Sequence, residues 1–198
     1  MMNNLYILAH EANWHWAKLF KLSFYTREIG KWLIRFITKS KIHHISDNYN
    51  THGCNRLINQ SVMPNGYESV DYMDCLPKRD SKIWAYKITA PIDFDLWHRN
   101  TLQKRGAPYD YKGAVNTTFD KIFRRKKNDH KESCSETPTW KLMQQGYLSF
   151  LDNENTTNPK ELINYLIKYG LCDKRPILVW DGEKLINNIF RDDIPGIN

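Results

Sequence analysis

The four cysteines of this 198-residue chain form no Cys-x-x-Cys pair, and none stands at metal-ligand spacing from a histidine. That argues against a zinc site and against a disulfide framework, so Cys54, Cys75, Cys134 and Cys172 read as thiols in a reducing compartment. Also missing is any run approaching ~20 continuous apolar residues, the length an ordinary membrane span needs. The opening segment, Met1-Met-Asn-Asn-Leu-Tyr-Ile-Leu-Ala-His10, has a brief apolar run but no basic region before it, unlike a secretory signal. The sequence shows no internal repeat and no low-complexity tract. The resulting expectation is a cytoplasmic protein with no membrane span.

What is present argues for a folded domain. Hydrophobic residues make up 41% and aromatics 13%, enough to bury a sizeable core in a chain of this length. Lysine and arginine number 29 against 22 aspartates and glutamates, for a net charge of +7. That excess favours anionic partners such as nucleic acid or an acidic surface. Much of it sits in Arg124-Arg-Lys-Lys127, within a stretch read as a loop, where a solvated charge run is the plainer account. The weight of Asn, Lys and Ile would suit a phage or other viral source.

Hydrophobic periodicity sketches the elements. Leu5 to Ala9 reads as a first strand, and Trp14 to Phe20 suits either a helix or an aromatic loop. From Thr26 to Thr38 the residues Ile29, Trp32, Leu33, Phe36 and Ile37 recur at helical spacing. Ile42-His-His-Ile-Ser46 reads as a strand whose neighbouring side chains face opposite sides, followed by a polar turn from Asp47 to Gly53. Short strands are expected on either side of Pro64-Asn-Gly66, then a strand from Ser81 to Ala90. A capped helix follows over Pro91 to Arg105, then a rigid turn at Gly106-Ala-Pro-Tyr-Asp-Tyr111. The tail predicts a helix from Pro159 to Tyr169 and a strand over Pro176-Ile-Leu-Val-Trp180. Helices grouped around an antiparallel sheet make this an α+β chain.

The segment Lys131-Glu-Ser-Cys-Ser-Glu-Thr-Pro-Thr-Trp140 is expected to be a loop entering a helix, with Cys134 in its first turn and Ser133 or Ser135 as cap. There the unpaired N–H groups and the helix dipole would favour the thiolate. A buried structural cysteine beside a cap is the competing account. A cysteine hydrolase needs a thiolate, an imidazole to exchange its proton, and a polar group to orient that imidazole. Cys134 and His44 fill the first two places, with Glu68, His52 and Asp47 as candidates for the third.

Four segments in order, Ile34-Arg-Phe-Ile-Thr-Lys-Ser-Lys-Ile-His-His-Ile45, Gly66-Tyr-Glu-Ser-Val70, Gly106-Ala-Pro-Tyr-Asp-Tyr111 and Cys134-Ser-Glu136, resemble the circularly permuted branch of the NlpC-type papain-like hydrolases. In that branch a helix leads to a Ser-His-Val strand, a middle segment often carries Glu, a Gly-x-x-Tyr-Asp turn follows, and Cys-Ser-Glu opens the helix bearing the nucleophile. The likeness spans roughly residues 5 to 170 and implies a permuted papain-like fold for residues 1–170, with residues 171–198 a C-terminal extension on the same domain. It implies Cys134 as nucleophile and His44 as base, since Ile45 stands where the family has Val, and His43 stands in place of the family's Ser. Glu68 is implied as the orienting residue, with His52 as the alternative suggested by related lecithin:retinol acyltransferase-like proteins. The basic linker from Lys112 to Lys131 and Ser133, where the family has an aromatic residue, depart from the pattern.

The resemblance implies acyl transfer through a thioester on Cys134, with no metal or organic cofactor, on an amide- or ester-containing substrate such as a peptide, a peptidoglycan fragment or a lipid. The rival is a non-catalytic binding module, gripping nucleic acid or an acidic partner through Arg124 to Lys131. Trp14 and Trp16 could stack bases in such a module, although core packing is the plainer account.

Overall fold

The computed structural model describes residues 4–12, 40–49, 56–62, 65–110, 133–151 and 157–190. The helix expected at 26–38, the tryptophans at 14 and 16, Cys54, His52 and the basic stretch 124–131 lie outside these residues. Six strands form one antiparallel sheet: β1 (Leu5–Glu11), β2 (Ile42–Tyr49), β3 (Leu57–Val62), β4 (Gly66–Asp71), β5 (Lys82–Lys87) and β6 (Ile177–Trp180). Their order across the sheet is β4-β3-β2-β1-β5-β6. The described helices are α1 (Tyr72–Cys75), α2 (Phe94–Lys104), α3 (Glu136–Gln144) and α4 (Pro159–Lys168), with a 3-10 turn at Leu76–Lys78. The fold is therefore α+β. Among the described residues no helix is long and apolar enough to cross a membrane.

The apolar run Leu5 to Ala9, expected as a first strand, lies within β1, which is buried on both faces. Leu5, Ile7 and Ala9 join a core with Trp97 of α2, Leu142 of α3 and Leu162 and Leu166 of α4. Tyr6 and Leu8 turn the other way, toward Leu76, Val179 and Phe190. Three helices thus cover one face of the sheet, while α1 and the C-terminal segment cover the other. Residues 177–180 extend the sheet from β5, and Phe190 stacks on Tyr72 at 4.6 Å between ring centroids.

Local chemistry fixes the helix ends. Asp93 caps α2 by accepting from the Leu96 N–H, and Asn158 with Glu161 forms a reciprocal capping box on α4. The side chain of Gln145 brackets Asp93, accepting from its N–H and donating to its carbonyl, both at 2.9 Å, which ties the start of α2 to the end of α3.

The polar turn expected from Asp47 is corrected by the structure: β2 continues through Asp47, Asn48 and Tyr49, all buried. Each polar group there has a reason to be inside. Asp47 is neutralised by Lys141, and Asn48 donates to the Leu57 carbonyl at 2.9 Å. Polarity alone pointed to a turn, and these partners lie far away or on the next strand.

Two of the segments singled out in the sequence meet. The Tyr67 N–H donates to the Ala107 carbonyl at 2.8 Å, and the Gly106 N–H returns a bond to the Tyr67 carbonyl at 2.9 Å. The turn at 106–110 therefore lies along the outer side of β4, and Tyr109 and Asp110 are buried beneath it. Gly66 makes the approach feasible: it has φ +82°, and a Cβ there would sit 2.1 Å from the Ala107 oxygen.

Candidate active site

Cys134 lies two residues before α3 rather than in its first turn; Ser135 is the cap position. The Ser135 hydroxyl does not cap. It donates to the Thr157 carbonyl at 2.6 Å, fastening the loop to the start of α4. Glu136, the first helical residue, reaches back and accepts from the Ser133 N–H at 2.5 Å, taking up an amide donor ahead of the helix. The Ser133 hydroxyl is itself buried, with no hydrogen-bond partner among the described residues.

The ion pair between Lys141 and Asp47 pins α3 to β2, and Leu142 and Ile45 share the same core. With the helix held there, the Cys134 sulfur meets β2: the backbone amide of Ile45 hydrogen-bonds to it. That nitrogen belongs to the peptide link joining His44 to Ile45, so the sulfur contacts the backbone of β2 beside the histidine pair. Strand β3 pairs with β2 from Ser46 to Asn48, and among the described strands only β1 accompanies the half from Ile42 to Ile45.

The electrostatics correct one expectation. Burial pushes the Cys134 thiol up to about 11, against an ordinary value of 9.0, and the Glu136 carboxylate pushes the same way. The amides of Ile45, Cys134 and Ser135 do favour the thiolate, as a position near a helix start should, but desolvation outweighs them. At neutral pH this sulfur carries its proton, so any nucleophilic role needs a base.

His44 and His43 lie at a β-bulge, where the β1 to β2 register shifts between His10 and Glu11. Pairing runs His10 to His44 and then Glu11 to Ile42, leaving His43 as the extra residue. His44 faces His10 across the two strands, with ring centroids 4.7 Å apart and planes at 76°. The His10 Nε2 and the Ser46 Oγ are hydrogen-bonded at 2.8 Å. His10, His44 and Ser46 share the sheet face of Tyr6 and Leu8, while Ile45 and Asp47 point toward the helices.

The other sequence candidates fall elsewhere. Asp47 is held by Lys141 at 2.9 Å and Asn59 at 3.0 Å, on the sheet face opposite to His44. Glu68 shares the face of His44, but β3 lies between them, and neighbouring strands are about 5 Å apart. Its two carboxylate oxygens accept from Gln60 and Asn65, both at 3.1 Å. The structure thus brings Cys134 to the His43-His44 strand and does not bring Glu68 to it. His52 lies outside the described residues.

Sequence reasoning passed over two residues. His10 ends a strand whose run of inward and outward apolar residues already signalled burial on both faces, so a histidine at its end was a legible candidate. Lys141 gave no such signal, being a lysine between Trp140 and Leu142. Its ammonium also donates to the Tyr67 hydroxyl at 2.7 Å and lies 5.0 Å from the Trp97 ring centroid. Among the described residues no group of three or more histidine, cysteine or acidic side chains could hold a metal ion.

No protein-family model matches this chain, and no curated protein sequence matches it.

Proposed function

We propose that this chain is a cysteine-dependent hydrolase or acyltransferase of permuted papain-like fold. In this reading it cleaves an amide or ester bond through a thioester on Cys134, with His44 as base. The observation that carries the reading is the meeting of the Cys134 sulfur with the amide of Ile45, next to His44 in the chain. Contact between the segments at Gly66-Tyr67 and Gly106-Ala107 adds support, since these are two more of the four segments that carry the family resemblance.

The chemistry follows from residue types. His44 takes the Cys134 proton as the sulfur attacks the carbonyl carbon, and the carbonyl oxygen becomes an oxyanion near the Cys134 amide. Collapse expels the amine or alcohol, which takes the proton from His44 and leaves an acyl group on sulfur. Water or an amine, losing its proton to His44, then releases the acyl group and restores the thiol. The proposed substrate is a peptide, peptidoglycan fragment or lipid, met in the cytoplasm, and no cofactor enters these steps.

A second reading has one observation in its favour. Cys134 is only 5% exposed and its thiol holds its proton, as in a catalytically silent relative that binds without turning over. A small thiol-directed electrophile at neutral pH separates the two. Labelling of Cys134 well ahead of the buried Cys75 and Cys172, lost in His44→Ala, supports the enzyme; uniformly slow labelling of all three supports the silent protein.

A further inference from the structure

We infer that His10 is a positioning residue for His44, filling the orienting place for which the sequence offered Glu68, Asp47 and His52; the inference rests on the cysteine reading of the site. His10 stands directly opposite His44 in the β1 to β2 register, so both side chains leave the sheet on the same face. Their rings meet edge to face at 4.7 Å. That geometry suits aromatic quadrupoles, and it restricts rotation of each ring about its Cβ–Cγ bond. His10 cannot move away to relieve the contact. Its side chain has no exposed surface, and its Nε2 is tied to Ser46, which is equally buried and follows His44 by two positions on the same face.

The three residues therefore form a short brace along the sheet: the Ser46 hydroxyl fixes the His10 ring, and the His10 ring limits His44. A catalytic imidazole needs such a neighbour, because a base that rotates freely spends little of its time presenting a nitrogen to the thiol. The bulge at this point supplies the reason for the location. The register shifts immediately beyond the His10 to His44 pair, so that pair is the last regular rung before the bulge, and β1 sets His10 directly across from His44.

The test combines ring-nitrogen NMR of histidine-labelled full-length protein with the rate of electrophile labelling at Cys134. His10→Phe keeps the bulk of a ring but loses the Ser46 hydrogen bond that fixes it. The expected result is that the His44 ring signals shift and broaden as that ring gains rotational freedom, while Cys134 labelling slows at least about tenfold and Cys172 labelling does not change. Unaltered His44 signals in a folded His10→Phe protein would overturn the inference. Should that variant fail to fold, Ser46→Ala frees His10 alone and is expected to shift the same His44 signals; no shift there would overturn the inference equally. A His44 shift in a protein whose Cys134 never labels sinks the cysteine reading and leaves the coupling of the two rings in place.

Discussion

Lys141 Nζ lies 2.9 Å from Asp47 Oδ2, and neither side chain touches solvent. The two are 94 positions apart in the chain, and their pairing joins α3, which follows Cys134, to β2, which carries His44. Burial lowers the Lys141 pKa, and the Asp47 carboxylate works against that shift. The pair thereby helps to set where α3, and Cys134 just ahead of it, lies against β2.

Removing one partner should be costly. Lys141→Met leaves the Asp47 charge buried and unpaired and is expected to cost about 3–5 kcal/mol of stability. Adding Asp47→Leu to that variant should recover more than half of the loss. Urea unfolding of the parent, the two single variants and the double variant measures it. Additive losses would show that the two charges do not depend on each other.

Gly66→Ala should destabilise by more than about 2 kcal/mol, since an alanine would be strained at φ +82° and its Cβ would overlap the Ala107 oxygen. Gly146→Ala is the control. That glycine also has positive φ, +84°, but meets nothing within 4 Å, so only the backbone cost of about 1 kcal/mol applies. Equal melting temperatures for the two variants would argue against close packing of the 106–110 turn on β4.

The raised Cys134 pKa has a definite sign in stability. Between pH 9 and 11 the folded protein keeps a proton that the unfolded chain releases, so this contribution is complete below pH 9 and is lost as pH rises toward 11. Its size is about 3 kcal/mol. Cys172, also pushed up to about 11, acts in the same direction. Cys134→Ala should therefore lose stability less steeply than the parent over this window in urea titrations at stepped pH. Parallel curves would mean that the thiol is less buried than the structure has it.

Much of the sheet was legible because its signals are local. The apolar run of β1, the cap at Asp93, and the turn glycines at 66 and 106 each act within a few residues. The Asp47 to Tyr49 half of β2 was misread because its polar side chains are satisfied by Lys141 and Leu57, partners that no window along the chain displays. The site divides in the same way. Cys134 before a helix and the histidines on a strand could be picked out by residue type and order. The geometry around them could not: Glu68 lies behind β3, and His10 stands opposite His44 only because of the β1 to β2 register.

The most direct test of the account is to trap the acyl group. Protein incubated with an activated ester at neutral pH, quenched and examined by intact mass and peptide mapping, should carry a single acyl group on Cys134, absent in Cys134→Ala and strongly reduced in His44→Ala. Acylation scattered over lysines, or an adduct on Cys134 that forms equally fast without His44, would contradict it.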